Sequence, residues 1–191
     1  MSIPVALGEI LAGKYRVERV LGAGGMGVVV EARHLDLEQR VALKFLVSGT
    51  LQDAEARRRF AREARAASRI TGEHVARILD TGTLESGAPY IVMEYLEGVD
   101  LQTLVNPERP LAVATAVDYV LQALEALAEA HALGIVHRDI KPSNLFLTRK
   151  ADGGACVKVL DFGIAKMVDS TGPQEGVTTS TTTLLGSPRY M

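Results

Sequence analysis

An α+β chain in two lobes is what the sequence predicts: an antiparallel sheet carrying one helix, then a part built mainly of helices. Three observations lead there. Short runs of strand composition fill the first half of the chain, interrupted by a single Ala-, Arg- and Glu-rich segment from about residue 53 to 70. A long apolar stretch from about Val113 to Ala132, closed by Gly134, reads as a helix. Between them, residues 94 to 100 form the joint.

The first lobe opens on a hairpin. Arg16 to Leu21 and Val28 to Ala32 have strand composition, and Gly22, Ala23, Gly24, Gly25, Met26 and Gly27 lie between them. Glycines, lacking Cβ atoms, let such a tip lie close over phosphates and aim N–H groups at them. A dinucleotide-binding fold places the same glycine pattern between a strand and a helix; here a second strand follows, which argues for a flap over phosphates. In Val41-Ala42-Leu43-Lys44-Phe45 the apolar alternation sets Lys44 opposite Leu43 and Phe45. In the helix that follows, Phe60, Ala64 and Ala67 make one stripe and Glu63 lies beside it. Glu63 can meet Lys44 as a buried ion pair or Arg59 as a surface couple. Strands over 76–84 and 90–94, turning at Glu85-Ser86-Gly87-Ala88, complete an expected five-stranded sheet.

A short helix after Asp100 begins the second lobe. On the long helix, Thr115, Asp118, Gln122, Glu125 and Glu129 form one narrow polar stripe, and nearly all the rest is apolar, so this helix expects cover from further helices. The run His137-Arg138-Asp139-Ile140-Lys141-Pro142-Ser143-Asn144 then sets an acid, an ammonium and an amide side by side. Asp139 can accept the proton of an attacking hydroxyl, Lys141 can neutralise charge on a phosphoryl group, and Asn144 can hold magnesium. A hairpin of 145–147 and 156–160 would return Asp161 to Asn144 as a second oxygen ligand. A charged surface loop and an Asp-x-Gly turn are the ordinary readings of these two pieces. Together they are far more specific than either alone.

In these pieces and their order, from about Tyr15 to the last residue, the chain resembles a protein kinase domain of the eukaryotic-like serine/threonine type common in bacteria. The resemblance implies a two-lobed kinase fold with a complete N-lobe and a partial C-lobe. It implies an ATP-binding set of Leu21, Gly22, Ala23, Gly24, Gly25, Met26, Gly27, Val29 and Ala42, with Lys44 on the α and β phosphates and paired with Glu63. By the same likeness Met93 is the gatekeeper, the backbone of Glu94 and Leu96 reads the adenine edge, and Asp100 lies near the ribose. Asp139 would be the catalytic base, Asn144 and Asp161 the Mg2+ ligands, and Lys141, two residues after the base, a serine/threonine-type feature. The reaction implied is phosphoryl transfer from Mg-ATP to a Ser or Thr hydroxyl of a protein substrate.

Control by phosphorylation is a further implication. Arg138, beside the catalytic acid, can pair with phosphate on the loop Thr178-Thr179-Ser180-Thr181-Thr182-Thr183, and a polar low-complexity loop is the alternative. Two other readings compete with an active kinase: a nucleotide-binding pseudokinase-like scaffold, although no motif is degraded, and an inactive fragment, because the family's Ala-Pro-Glu segment and following helices are absent. Residues 1–14 then form an N-terminal extension, 15–96 the N-lobe and hinge, and 97–191 a partial C-lobe with catalytic loop and activation segment.

Composition sets limits. The chain has 191 residues, a formal net charge of −2 and 47% hydrophobic residues, which suits a globular protein with a sizeable core. No basic run with interleaved aromatics points to nucleic acid. Cys156 is the single cysteine, so no internal disulfide can form, and its strand setting suggests a core residue. His34, His74, His131 and His137 lack metal-ligand spacing, and His137 reads as a packing residue. The start of the chain has no cationic signal-peptide region, and Asp118, Glu125 and Glu129 interrupt the longest apolar tract. The expectation is a cytoplasmic protein without a membrane segment.

Overall fold

The computed structural model describes residues 5–24, 27–45, 54–106, 108 and 110–162. Gly25 and Met26 of the glycine turn, Gly163 and the loop 178–183 lie outside the described residues.

Among the described residues nine strands and three α-helices follow one another as β1 (Ile10–Leu11), β2 (Tyr15–Gly24), β3 (Gly27–His34), β4 (Arg40–Phe45), α1 (Ala54–Ala67), β5 (Ile78–Thr83), β6 (Pro89–Glu94), β7 (Val99–Asp100), α2 (Leu101–Leu104), α3 (Val113–Ala132), β8 (Leu145–Arg149) and β9 (Ala155–Val159). The first sheet has the order β1-β2-β3-β4-β6-β5 and every pairing is antiparallel. It has six strands where five were expected. The extra strand, β1, is the two-residue piece Ile10–Leu11, folded back on Arg16 and Tyr15 through Ala12 and Gly13 at φ 48° and 66°. A strand so short has no periodicity to read, and the sequence does not set residues 10 and 11 apart from the extension.

One face of this sheet closes its own core around Val30, Leu43, Phe45 and Val92, each at most 1% exposed. The opposite face contributes Ile91, which joins Phe60, Ala64 and Ala67 of α1 in a second cluster. That second cluster runs without a break into the next lobe through Val75, Tyr119, Ala126, Val157 and Phe162. Backbone bonds reinforce the seam, with Val159 N–H donating to His74 O at 2.8 Å and Ala76 N–H to Val159 O at 3.1 Å.

The long helix α3 has the expected bounds and ends at Gly134, whose φ of 74° is the left-handed stop that glycine favours. Two members of its polar stripe, Gln122 and Glu129, look inward, whereas Asp118 and Glu125 are exposed. Gln122 Oε1 accepts from Val157 N–H of β9 at 2.7 Å, and Glu129 grips the loop after α1, accepting from Thr71 N–H at 2.8 Å and Gly72 N–H at 2.9 Å. Those donors are loop and strand-edge groups that need an acceptor once covered. Tyr119, Ala123, Ala126 and Ala130 are buried, whereas Val113, Val117, Val120, Leu121 and Leu124 are exposed. The apolar face therefore has no cover among the described residues.

Where the joint turns into β7, Gly98 has no room for a side chain, since a Cβ there would lie 1.9 Å from the carbonyl oxygen of Leu147. Gly98→Ala is expected to shift the joint off β8 and to lower the denaturant midpoint by the equivalent of about 1–3 kcal/mol, read by urea titration.

Candidate active site

A cleft of about 480 Å³ opens between the lobes, behind the glycine hairpin and in front of the joint. Leu21, Gly22, Val29 and Ala42 line it from the sheet, Met93, Glu94, Leu96 and Asp100 from β6 and the joint, and Phe146, Leu160 and Asp161 from the second lobe. Local structure explains the roof. The β2–β3 register slips between Val17 and Arg19 and again between Val20 and Gly22, so Glu18 and Leu21 are extra residues on β2. Such bulges bend a strand and re-aim side chains, and Leu21 lies at one of them. In β4, period two sends Leu43 and Phe45 to the core while Ala42 faces the cleft and Lys44 the second lobe.

Lys44 is 4% exposed and lies 2.7 Å, Nζ to Oδ1, from Asp161. The resemblance implies Glu63 as the partner of Lys44; Asp161 is a carboxylate that the sequence reading did not pair with it. A buried ammonium requires a carboxylate in reach, and the β8–β9 hairpin carries Asp161 under β4. Glu63 on α1 lines a cavity with Arg62, Arg138, Val136 and Phe162. Asp161 holds a φ of 59° and Arg138 a φ of 63°, left-handed conformations that cost a residue with a side chain about 1–2 kcal/mol. Backbone strain of this kind concentrates where a site over-determines its residues.

The acid of the 137–144 run is enclosed. Asp139 is 7% exposed, its Oδ2 lies 3.0 Å from Lys141 Nζ, and Asn144 Nδ2 donates to Asp139 O at 2.8 Å. With its amide nitrogen turned to Asp139, Asn144 presents Oδ1 on the other side. Leu160 N–H donates to Asn144 O at 2.9 Å, and this bond fastens the run to the residue before Asp161. The expected juxtaposition of Asp139, Lys141, Asn144 and Asp161 is thus present.

His137 supports this loop. Its Nε2 lies 2.7 Å from Leu160 O, so it is the protonated nitrogen, and Nδ1 accepts from Asp139 N–H at 3.2 Å. The ring also packs edge-on against Phe162 at 5.0 Å. Burial holds the His137 pKa below its usual value, against the opposing pull of the Leu160 carbonyl. The folded state therefore favours the neutral ring. Its stabilisation is complete above about pH 6.5 and is lost as pH falls from there toward the depressed folded value, because the unfolded chain takes up the proton first. The denaturant midpoint is expected to fall between pH 7 and 5.5, and imidazole NMR should show His137 staying neutral after exposed histidines have protonated. Cys156 is buried, with its thiol pKa pushed up by burial, which makes it an inert core residue.

Sequence reasoning missed several groups. Arg19, Tyr95, Ala76, Ser143 and Phe146 also line the cleft. The Glu94 side chain accepts from Lys158 Nζ at 2.8 Å and from Arg77 N–H at 2.8 Å, anchoring the joint to β9 and to the residue before β5. No spacing rule announces these pairs; only the alternation in β9, which turns Lys158 away from Val157 and Val159, offers a signal. The Leu96 N–H has no protein partner among the described residues, as a group reading a ligand edge requires. Asp100 caps α2, its Oδ1 accepting from Thr103 N–H at 2.8 Å, while it also borders the cleft. Among the described residues no helix is long and apolar enough to cross a membrane.

The family model described as protein kinase domain matches residues 15–191. The chain is 44% identical, over 97% of its length, to serine/threonine-protein kinase pkn3 of Myxococcus xanthus, of which it covers 34%. It is 36% identical, over 95% of its length, to serine/threonine-protein kinase PknB of Mycobacterium tuberculosis, of which it covers 28%. A crystal structure of the Mycobacterium tuberculosis PknI kinase domain superposes with a TM-score of 0.71 at 36% identity, over 84% of this chain and 64% of that one. The chain thus spans about a third or less of these curated relatives. Its fold, the His137–Asn144 run and these likenesses agree: it belongs to the protein kinase domain family, among the bacterial-type serine/threonine kinases.

Proposed function

We propose that this chain carries the ATP-dependent catalytic centre of a serine/threonine protein kinase. The observation that supports the reading best is the convergence of Lys44, Asp139, Lys141, Asn144 and Asp161 at one end of a cleft whose other end is bordered by the Leu96 N–H. Adenine is assigned to the joint, against Ala42, Leu21 and Met93, with the Glu94 carbonyl and the Leu96 amide on its edge. The ribose is assigned to Asp100 and the phosphates to the space under Gly22, Gly24 and Gly27, where Lys44 supplies positive charge. Asn144 Oδ1 and the Asp161 carboxylate fit a hard cation such as Mg2+, which takes oxygen donors and is held by one or two carboxylates together with substrate phosphates. When bound, that ion neutralises phosphate charge.

In this reading Asp139 orients the substrate hydroxyl and accepts its proton as the hydroxyl oxygen bonds to the γ phosphorus. The bond from that phosphorus to the bridging β–γ oxygen breaks, and the electron pair leaves with ADP. Lys141, 3.0 Å from Asp139, meets the charge on the moving phosphoryl group. The acceptor is a Ser or Thr side chain of a protein.

Regulation is part of the proposal. Arg138 would receive a phosphate from the loop 178–183, which lies outside the described residues, and an arginine beside the catalytic acid can order such a loop. Calorimetric titration of the full-length protein with Mg-ATP should give a saturable heat, and mass spectrometry after incubation should place phosphate between Thr178 and Thr183. No heat from a folded sample removes the nucleotide assignment, and phosphate confined elsewhere removes the loop control.

A further inference from the structure

Arg19 and Tyr95 both border the cleft, yet neither takes part in the chemistry above. Arg19 comes from β2, the roof strand, and Tyr95 from the joint. Arg19 Nη2 donates to Tyr95 Oη at 2.7 Å, while its Nε lies 2.5 Å from Glu31 Oε2. The Glu31 side chain is only 6% exposed, and a carboxylate so enclosed demands cations; Arg19 and, at 3.9 Å, Arg40 supply them. Arg40 in turn pairs with Glu97 and lays its guanidinium 4.6 Å from the centre of the Tyr95 ring. One charged network therefore ties β2, β3 and β4 to the joint.

Position gives this network a consequence. Arg19 sits between the two bulges of β2, at Glu18 and Leu21, each of which interrupts the backbone ladder to β3. The side-chain tie supplies the restraint that the ladder lacks there. An exposed arginine pair is ordinarily of little worth, but this one is held from behind by buried Glu31, so its geometry is fixed before Tyr95 is engaged.

We propose that the Arg19–Tyr95 hydrogen bond is a latch that holds the roof strand to the joint over a bound nucleotide and sets the rate at which the nucleotide leaves. The latch rests on the assignment of ATP to this cleft. Its residues are positioning residues and touch no reacting atom.

The test is release of a fluorescent mant-ATP from the full-length protein by stopped flow, beside steady-state kinetics. Tyr95→Phe keeps the ring over Arg40 and the Arg19–Glu31 pair, and removes only the hydroxyl. It should speed release about three- to tenfold and raise KM for ATP in proportion, with kcat falling less than KM rises. Arg19→Gln should do the same, and the double variant should be no faster than the faster single one, because both remove one bond. Should Arg19→Gln fail to fold with Glu31 uncompensated, Tyr95→Phe alone decides. Release at the unaltered rate in Tyr95→Phe overturns the latch, as do effects that simply add in the double variant. Failure of the unaltered protein to bind mant-ATP overturns the nucleotide assignment, and the latch with it.

Discussion

Asp139→Asn in the full-length protein should lower turnover by about two to four decades while leaving ATP affinity nearly unchanged. Asparagine has the same shape and can still meet Lys141 and Asn144, so the loop should keep its form. What it loses is a site for the proton of the attacking hydroxyl. Because Asp139 is 7% exposed and enclosed by Lys141 and Asn144, water has little room to take its place. Steady-state transfer of labelled phosphate to a basic protein substrate reads turnover, and calorimetry with Mg-ATP reads affinity. Undiminished turnover in that variant would remove Asp139 from the mechanism, and a parallel loss of ATP binding would give it a role in holding the nucleotide.

Lys44→Met should cost about two to three decades in turnover, the usual loss when one preorganised charge donor is taken from an enclosed site. Methionine fills the same space but cannot face Asp161, whose carboxylate lies 2.7 Å from the Lys44 ammonium. Two consequences follow, since the phosphates lose a cation and the end of the β8–β9 hairpin loses its fastening to β4. The second is separable from the first, because hydrogen exchange at Leu160 and Phe162 should quicken even without nucleotide. A Lys44→Met enzyme with wild-type turnover would exclude the lysine from phosphate binding.

Much of this arrangement was legible in residue order. Period two around Lys44 assigned it to the face away from the core, and the apolar run closed by Gly134 located α3 with correct ends. The hairpin that returns Asp161 toward Asn144 could be read from two apolar runs and the turn between them. Partner choice was less legible. Lys44 had Glu63 as its candidate carboxylate; that Asp161 comes within 2.7 Å of it depends on how the β8–β9 hairpin docks under β4, which strand spacing does not encode. The polar stripe of α3 could be read from its spacing, whereas the backbone N–H groups of Thr71, Gly72 and Val157 that its members Gln122 and Glu129 satisfy could not. Arg19 and Tyr95 are 76 positions apart with no motif joining them.

The grip of Glu129 on Thr71 and Gly72 makes α1 a lever with its fulcrum at the C-terminal end. At 1.5 Å per residue its 14 residues form a rod about 21 Å long. A tilt of about 10° about that fulcrum sweeps the Ala54 end through nearly 4 Å, by that rise, but moves Glu63, roughly one turn from the fulcrum, by only about 1 Å. Coarse displacements at the start of the helix therefore arrive at Glu63 geared down roughly three- to fourfold. Releasing the Glu129 grip would remove the gearing.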